Sequence, residues 1–272
     1  MDGDHRRRKA MEETGGAGVN PVQALSRSLD LLEAIAAAED GVGSADLARL
    51  TGQPATTVHR LLKSLEQRSY VSFDEDCQRW FIGVRAFTVG GAFLRRRNPT
   101  LVARPIMRRL MERVGETASL AIEDGGEVVI LTQIECREMM RALSRPGTRV
   151  PLYCSGVGKA LLAALPEGEA TPLLEKLPLA RITDRTLTGI EDLRRDLADS
   201  RARGFAIDDE EHSVGLRCVA AAVLDEHGGP LCALSVSGPA VRIPDGRLAE
   251  LGALVVRAAE EITLAVGGGP RR

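Results

Sequence analysis

The stretch FAIDDEEHSVGLRC, residues 205–218, concentrates acid, imidazole and thiol side chains. It contains two aspartates, two glutamates, one histidine and one cysteine within fourteen positions. Carboxylate, imidazole and thiolate groups can bind a metal ion, and a thiolate beside an imidazole can act as a nucleophile. The same groups can line a pocket that binds a small polar molecule.

Two of these interpretations meet difficulties in the sequence itself. Asp208, His212 and Cys218 are suitable metal ligands, but their spacing is not a standard zinc spacing. A Cys218 thiolate activated by His212 lacks an evident oxyanion hole and an orienting third group. We expect Glu210 and Glu211 to be solvated or at an interface. The sequence predicts no catalytic residue, no metal and no cofactor.

The length and composition indicate a globular protein with two small domains, or with one large domain and an appendage. The chain has 272 residues, 44% of them hydrophobic, and a net charge of −2. Its five cysteines include no CxxC pair, which favours reduced thiols over a zinc ribbon or a disulfide scaffold. The start of the chain has no secretory signal pattern, and no apolar run is long enough for a membrane span. We expect a soluble, cytoplasmic protein.

Positive charge is concentrated near the front of the chain. Residues 49–97 carry nine Lys or Arg and four Asp or Glu, a local net of +5. Residues 1–20 are predicted to be a disordered tail, and its HRRRK cluster is either solvated or an arm that touches DNA.

The first helices follow from apolar spacing and turn residues. One apolar stripe at helical spacing opens the pattern, formed by Leu25, Leu29, Leu32 and Ile35. Ser44 is placed to cap a short helix, and Gly52 can take the left-handed conformation that ends it. Pro54 suits the first turn of the next helix.

The helix in PATTVHRLLKSLEQR, residues 54–68, has a basic and polar outer face. Val58, Leu61, Leu62 and Leu65 share the buried face. A short helix, a glycine turn and this second helix form a helix-turn-helix pattern. The predicted DNA-binding residues are Thr56, Thr57, His59, Arg60, Lys63 and Arg68. For His59, contact with a phosphate and simple exposure both stay open.

The segments that follow complete a DNA-binding domain. YVSFDEDCQRWFIG reads as two short strands around an acidic turn, the hairpin of a winged helix. The winged helix-turn-helix domain is therefore predicted over 21–83, and a connecting helix, interrupted by two glycines, over 84–99.

The remainder, 100–272, is predicted to be an α+β domain. TASLAIED and EVVILTQIE form a hairpin signature around GG, and REMMRALSR is a candidate third strand. FAIDD, RCVAAAVLD and PLCALSVSG read as further strands, and a long helix closes the chain over 246–266. We expect a mixed, largely antiparallel sheet flanked by helices.

Three stretches resemble one family of proteins over about residues 22–267. These are ALSRSLDLLEAIAAAEDGVGSADLARLTGQPATTVHRLLKSLEQRSYV, CSGVGKALLAALP and GFAIDDEEHSVGLRCVAAAVLDEHGGPLCALSVSGPAVRI. They resemble the IclR family of bacterial transcriptional regulators, most closely its repressors of the glyoxylate bypass and of allantoin utilisation. The resemblance implies a winged helix, a linker helix and a GAF-like effector domain. It also implies double-stranded operator DNA, a small-acid effector and a homodimer or homotetramer.

The resemblance answers the opening question in favour of a binding pocket. It places a polar pocket at Gly156, Val157, Asp208, Cys218, Ser235 and Ser237, and an apolar lid at Met139, Ala142, Val150 and Leu216. The glyoxylate-responsive members are expected to carry Leu, Met and Leu at the first three lid positions, and Ala at 157. Such differences of a methylene group shift discrimination between acids by roughly 1–3 kcal/mol.

The sequence therefore predicts a ligand-responsive transcriptional repressor that binds operator DNA and senses glyoxylate, pyruvate or a related ureide metabolite. An activator of aromatic-acid or sugar-acid catabolism in the same family and a metal-dependent enzyme are the alternatives. The sequence leaves open the effector, the operator, the sign of regulation and the number of subunits.

Overall fold

The computed structural model describes residues 22–96 and 99–269. The chain divides into two compact units between Arg96 and Arg97, and each unit has its own hydrophobic core. The tail predicted over 1–20 lies outside the described residues.

The first unit contains helices followed by a two-stranded hairpin and one more helix. In chain order these elements are α1 (Gln23–Ala36), α2 (Ser44–Thr51), α3 (Ala55–Gln67), β1 (Val71–Asp74), β2 (Arg79–Ile82) and α4 (Val84–Arg96). Strands β1 and β2 are antiparallel, as the predicted wing requires.

The core of the first unit lies among α1, α2, α3 and the hairpin. Its buried side chains are Leu31, Ile35, Val42, Leu47, Val58, Leu62, Val71 and Trp80. The apolar stripe predicted for α1 is only partly correct, because Leu25 and Leu29 are 59% and 48% exposed. Ile35 is buried as predicted, and Leu31, which is outside the predicted stripe and four residues before it, faces the core as well.

Helix α2 ends as the sequence predicts but begins differently. Gly52 has a φ of 65°, so the left-handed helix end is confirmed. Ser44, predicted to cap α2, is instead the first helical residue after Gly43. Its hydroxyl accepts a hydrogen bond of 2.9 Å from the indole Nε1 of Trp80, which ties α2 to the wing.

The second unit contains a six-stranded sheet and the remaining helices. In chain order its elements are α5 (Pro99–Val114), β3 (Thr117–Asp124), β4 (Glu127–Ile134), β5 (Arg149–Pro151), α6 (Gly156–Ala164), α7 (Glu167–Leu174), α8 (Ile190–Arg203), β6 (Ala206–Asp209), β7 (Leu216–Leu224), β8 (Pro230–Pro239) and α9 (Asp245–Ala265).

The strands of this sheet lie in the order β5-β4-β3-β8-β7-β6. Each neighbouring pair is antiparallel, so the α+β fold and the largely antiparallel sheet are confirmed, and among the described residues this sheet has no parallel pair that would make it mixed. The β3–β4 hairpin turns at Gly125 and Gly126, whose φ angles of 64° and 85° suit the tight turn that the GG pair predicts.

The strand predicted in REMMRALSR does not form. Residues 137–145 have no strand in the structure, and the edge strand β5 begins only at Arg149. Met139 and Met140 are 98% and 69% exposed. These two apolar residues are adjacent in the sequence, and both face solvent. The segment therefore lacks the alternation of buried and exposed side chains that is typical of a strand in a sheet.

The two faces of the sheet have different partners. Helices α5 and α9 pack on one face, and α6 packs on the other with α8 against it. The first face has a large apolar core, whereas the second has a core that gives way to polar residues toward the carboxyl end of β8.

Candidate ligand cavity and nucleic-acid interface

Small side chains leave space on the face of the sheet that α6 covers. Because side chains alternate along a strand, Ala233, Ser235 and Ser237 of β8 share that face, while Leu234 and Val236 point to the opposite core. Cross-strand neighbours continue the pattern, since Ser119 pairs with Ser235 and Cys218 pairs with Ser237. Serine and cysteine fill less volume than leucine, so a cavity remains.

This cavity has a volume of about 240 Å³. The structure brings together in its lining nine of the ten predicted effector residues, namely Ala142, Val150, Gly156, Val157, Asp208, Leu216, Cys218, Ser235 and Ser237. The lining residues for which the sequence predicted no part in this pocket are Ser119, Ile130, Gln133, Leu143, Ser144, Ser155, His212 and Ser213. Thr117 and Ser119, two residues apart on β3, are the sequence signal that could have identified Ser119, whereas β4 has no such alternation to identify Gln133.

Met139 is the predicted effector residue that the structure keeps apart from the cavity. Its side chain is 98% exposed and does not contribute to the lining. The segment that carries it is irregular, and the backbone carbonyl of Met140 accepts a hydrogen bond of 2.9 Å from Arg242. Leu143 and Ala142 from the same segment reach the cavity instead.

The start of α6 presents free amide groups to the cavity. Ser155 caps the helix, because its Oγ accepts from the Gly158 amide at 3.2 Å and donates to the Pro151 carbonyl at 2.6 Å. Among the described residues, the Gly156 and Val157 amides have no acceptor. Free amides at a helix start favour an anion.

Residue 156 must be glycine for this helix start to approach β7. A Cβ at this position would lie 2.7 Å from Sγ of Cys218, closer than real Cβ contacts. The backbone of α6 therefore lies directly against the thiol side of β7. The α6 amides therefore lie beside the paired residues Cys218 and Ser237.

Asp208 is a buried carboxyl group at the edge of the cavity, with a side chain 2% exposed. Its Oδ1 accepts from the amides of Glu211 at 2.8 Å and His212 at 3.3 Å. Burial raises the pKa of Asp208 to about 7, while these amides and Lys159 oppose the rise and Glu211 adds to it. A carboxyl group with this pKa exists in both protonation states near neutral pH, so it can donate to a bound anion.

A buried ion pair holds the loop that follows Asp208. Lys159 of α6 is fully buried, and its Nζ contacts the Glu211 carboxylate and lies 3.0 Å from Oδ2 of Asp196. The Thr186 hydroxyl also donates to the Glu211 carbonyl at 2.7 Å. The prediction that Glu211 is solvated or at an interface is therefore wrong, because Lys159 supplies the countercharge that lets it be buried.

Glu210 has a structural task in the same loop. Its carboxylate accepts from the Gly215 amide at 2.7 Å, and its own φ of 60° lies in the left-handed region. The bond closes the loop that places His212 and Ser213 at the cavity.

The chemistry of Cys218 does not favour a nucleophile. Burial, and then the charge of Asp208, raise the pKa of its thiol to about 11, so it is protonated at neutral pH. Burial lowers the pKa of His212. Across the described part of the chain, no group of three His, Cys, Asp or Glu side chains could hold a metal ion.

The outer face of α3 is the candidate nucleic-acid interface. Val58 and Leu62 are buried, so the opposite side of the helix faces solvent. Thr56, His59, Arg60, Lys63 and Arg68 are exposed and Thr57 is half-buried. Lys63 also pairs with Glu66 at 2.8 Å and lies 5.6 Å from the Trp80 ring centre, so its charge is partly compensated.

In the two described ranges, no helix combines the length and the apolar character that crossing a membrane requires.

Known proteins match both units. The profile described as IclR helix-turn-helix domain matches residues 24–75, and that described as Bacterial transcriptional regulator IclR C-terminal matches residues 92–264. The chain is 45% identical over 249 residues to Transcriptional repressor IclR of Escherichia coli, covering 91% of each chain. It is 39% identical to HTH-type transcriptional repressor AllR of Klebsiella pneumoniae, covering 92% of each.

A solved structure shares the fold. The IclR homolog from Microbacterium hydrocarbonoxydans, in complex with 4-hydroxybenzoate, aligns with a TM-score of 0.78 at 26% identity. The alignment covers 89% of this chain and 98% of that one.

Proposed function

Because the chain belongs to the IclR family of bacterial transcriptional regulators, which bind DNA and are not enzymes, we propose that it is a repressor controlled by a small carboxylic or keto acid. Glyoxylate, pyruvate or a related ureide metabolite is the proposed effector. The observation that carries the proposal is the cavity, where two free helix amides and a protonatable Asp208 face one space.

The acid binds with its carboxylate at the start of α6. The Gly156 and Val157 amides donate to it, and the Ser235 and Ser237 hydroxyls supply donors from one face of β8. Cys218 and Asp208 close this polar end, and Ala142, Val150 and Leu216 form the apolar side. Met139 contributes to this apolar side only if its segment moves, since its side chain is exposed in the structure.

Operator DNA binds the outer face of α3. Thr56, Thr57, His59 and Arg60 approach base edges in the major groove, and Lys63 and Arg68 neutralise phosphates. Both basic residues are exposed, as a phosphate contact requires. A regulator of this kind acts at the chromosome, so we place it in the cytoplasm.

The active form is a homodimer or homotetramer that pairs through the first unit. Several large apolar side chains of that unit are exposed, including Phe87 at 79%, Val84 at 72% and Leu25 at 59%. Contact with a second copy of the unit would remove such side chains from water. A two-fold dimer presents two copies of α3 to a palindromic operator. The acid regulates binding only if it favours one assembly or arrangement, and a coupling of roughly 1–3 kcal/mol suffices.

A second candidate is an activator of aromatic-acid or sugar-acid catabolism. It is favoured by the homolog whose structure contains 4-hydroxybenzoate. It also agrees with Ala142 and Val150, which leave the apolar side wider than larger side chains would. This candidate differs from the first in its effector and in the direction of regulation.

Fluorescence anisotropy on the DNA upstream of the protein's own gene tests the proposal. We expect glyoxylate or pyruvate to shift the DNA-binding curve, and a chelator to have no effect. A response to 4-hydroxybenzoate alone favours the second candidate. DNA binding that no acid changes contradicts the sensor role, and a response to chelator alone indicates a metal site.

A matched pair of variants tests the DNA interface in the same assay. Arg68→Ala should weaken DNA binding and reduce its dependence on salt, because one phosphate contact is lost. Arg49→Ala is the control, since Arg49 is also exposed but pairs with Asp46 on α2. Equal losses in both variants would show that only the overall charge of the first unit matters.

A further inference from the structure

The cavity has a second polar wall on the same face of the sheet, toward the edge opposite β6. Ser119 of β3, Gln133 of β4 and Ser144 of the irregular segment line it. The Gln133 Nε2 donates to Oγ of Ser119 at 3.0 Å, and the Ser144 amide donates to Oε1 of Gln133 at 3.1 Å. Gln133 thus joins the sheet to the segment that covers the cavity.

This wall retains hydrogen-bonding capacity. A glutamine amide has two N–H donors and two acceptor lone pairs, and a serine hydroxyl has one donor. Within the described ranges, Gln133 uses one donor and one lone pair, and the Ser119 hydroxyl accepts but has no acceptor for its own proton. One ligand group could therefore both donate to and accept from this wall.

Gln133 lies away from the anion-binding end, whereas Ser119 lies between that end and Gln133, beside Ser235. The α6 amides lie against β7 at Cys218, and β8 and β3 separate β7 from β4. Neighbouring strands are roughly 4.8 Å apart, so Gln133 is several bonds from the α6 amides for a bound ligand. A two-carbon acid has its oxygens on adjacent carbons, so it can form hydrogen bonds with the α6 amides or with Gln133 but not with both.

We propose that Gln133, together with Ser119, determines effector specificity by binding a second polar group of the ligand. The chemical class is a short-chain carboxylic acid with a hydroxyl or carbonyl group at the far end of its carbon chain. This inference rests on the proposed function, in which the α6 amides hold the carboxylate. It assigns selectivity to residues outside the set predicted from the sequence.

Calorimetric titration of the full chain with butyrate and 4-hydroxybutyrate tests the inference, because these acids differ by one terminal hydroxyl. The wild type should bind 4-hydroxybutyrate about tenfold more tightly, the size of one well-placed hydrogen bond. Gln133→Leu should reduce this ratio to about one. Ser119→Ala, a smaller change on the same wall, should reduce this affinity ratio partly. It provides the test if Gln133→Leu does not fold.

Ser237→Ala is the matched control at the anion-binding end. It should weaken both acids and keep their ratio, because it removes a donor from the carboxylate only. A wild-type ratio near one, or a ratio that Gln133→Leu and Ser119→Ala leave unchanged, overturns the inference. If butyrate, 4-hydroxybutyrate, glyoxylate and pyruvate all fail to bind, the proposed function fails as well.

Discussion

The two faces of the six-stranded sheet differ in what fills them. The face toward α5 and α9 is packed with side chains such as Leu120, Leu234 and Val236, all fully buried. The face toward α6 carries Ser119, Ser235 and Ser237 and leaves a cavity. One face therefore gives stability by apolar burial, and the other gives up part of that burial to form a binding site.

The cavity face replaces apolar packing with buried charge. Lys159 lies fully buried between Glu211 and Asp196, and the Glu211 segment shapes the cavity. For such groups, removing one partner is costly, because it leaves an uncompensated charge buried.

The largest expected effect is therefore that of Lys159→Met. It leaves two carboxylates without their cation and should lower the free energy of unfolding by about 3–5 kcal/mol. Urea unfolding measures this loss. Lys159→Met combined with Glu211→Leu should recover part of it, and a single variant as stable as the wild type would show that the pair contributes little.

A pair of adjacent substitutions compares the two faces directly. Leu234→Ala should cost about 2–5 kcal/mol of stability, because it leaves a cavity in the packed core. Ser235→Ala should cost less than about 1 kcal/mol, yet weaken acid binding, because it removes a donor at the existing cavity. Urea unfolding and calorimetric titration of both variants give the two values. If both variants lose stability equally, the cavity face is packed as firmly as the other.

The smallest expected effect is a dependence of acid binding on pH. Because the pKa of Asp208 is about 7, its carboxyl group is neutral below that pH and repels an anionic ligand above it. Affinity for glyoxylate should fall about tenfold between pH 6 and pH 8, where ionisation of Asp208 is the main change at this end. Asp208→Asn, which can still accept from the Glu211 amide, should largely remove this fall. A wild-type affinity that is constant over this range would contradict a role for neutral Asp208.

Local features were predictable because they depend on residues close in sequence. The left-handed turn at Gly52, the GG hairpin at 125–126 and the helix end at Gly204, with a φ of 82°, all follow from glycine's freedom at positive φ. The α3 outer face follows from one helical period. The stripe on α1 was misassigned because periodicity gives the spacing of a buried face and cannot show which neighbouring helix covers it.

The sequence by itself determined the family, the order of the elements and nine of the residues that line the cavity, because these are carried by contiguous motifs. Only the tertiary structure decided how the second polar wall joins the anion-binding end, since Ser119 lies beside Ser235 by pairing of β3 with β8, strands more than a hundred residues apart. It also decided the exposure of Met139, the burial of Glu211 beside Lys159 and the raised pKa of Asp208. Burial and charge pairing are set by which distant segments come into contact, and local sequence does not contain that information.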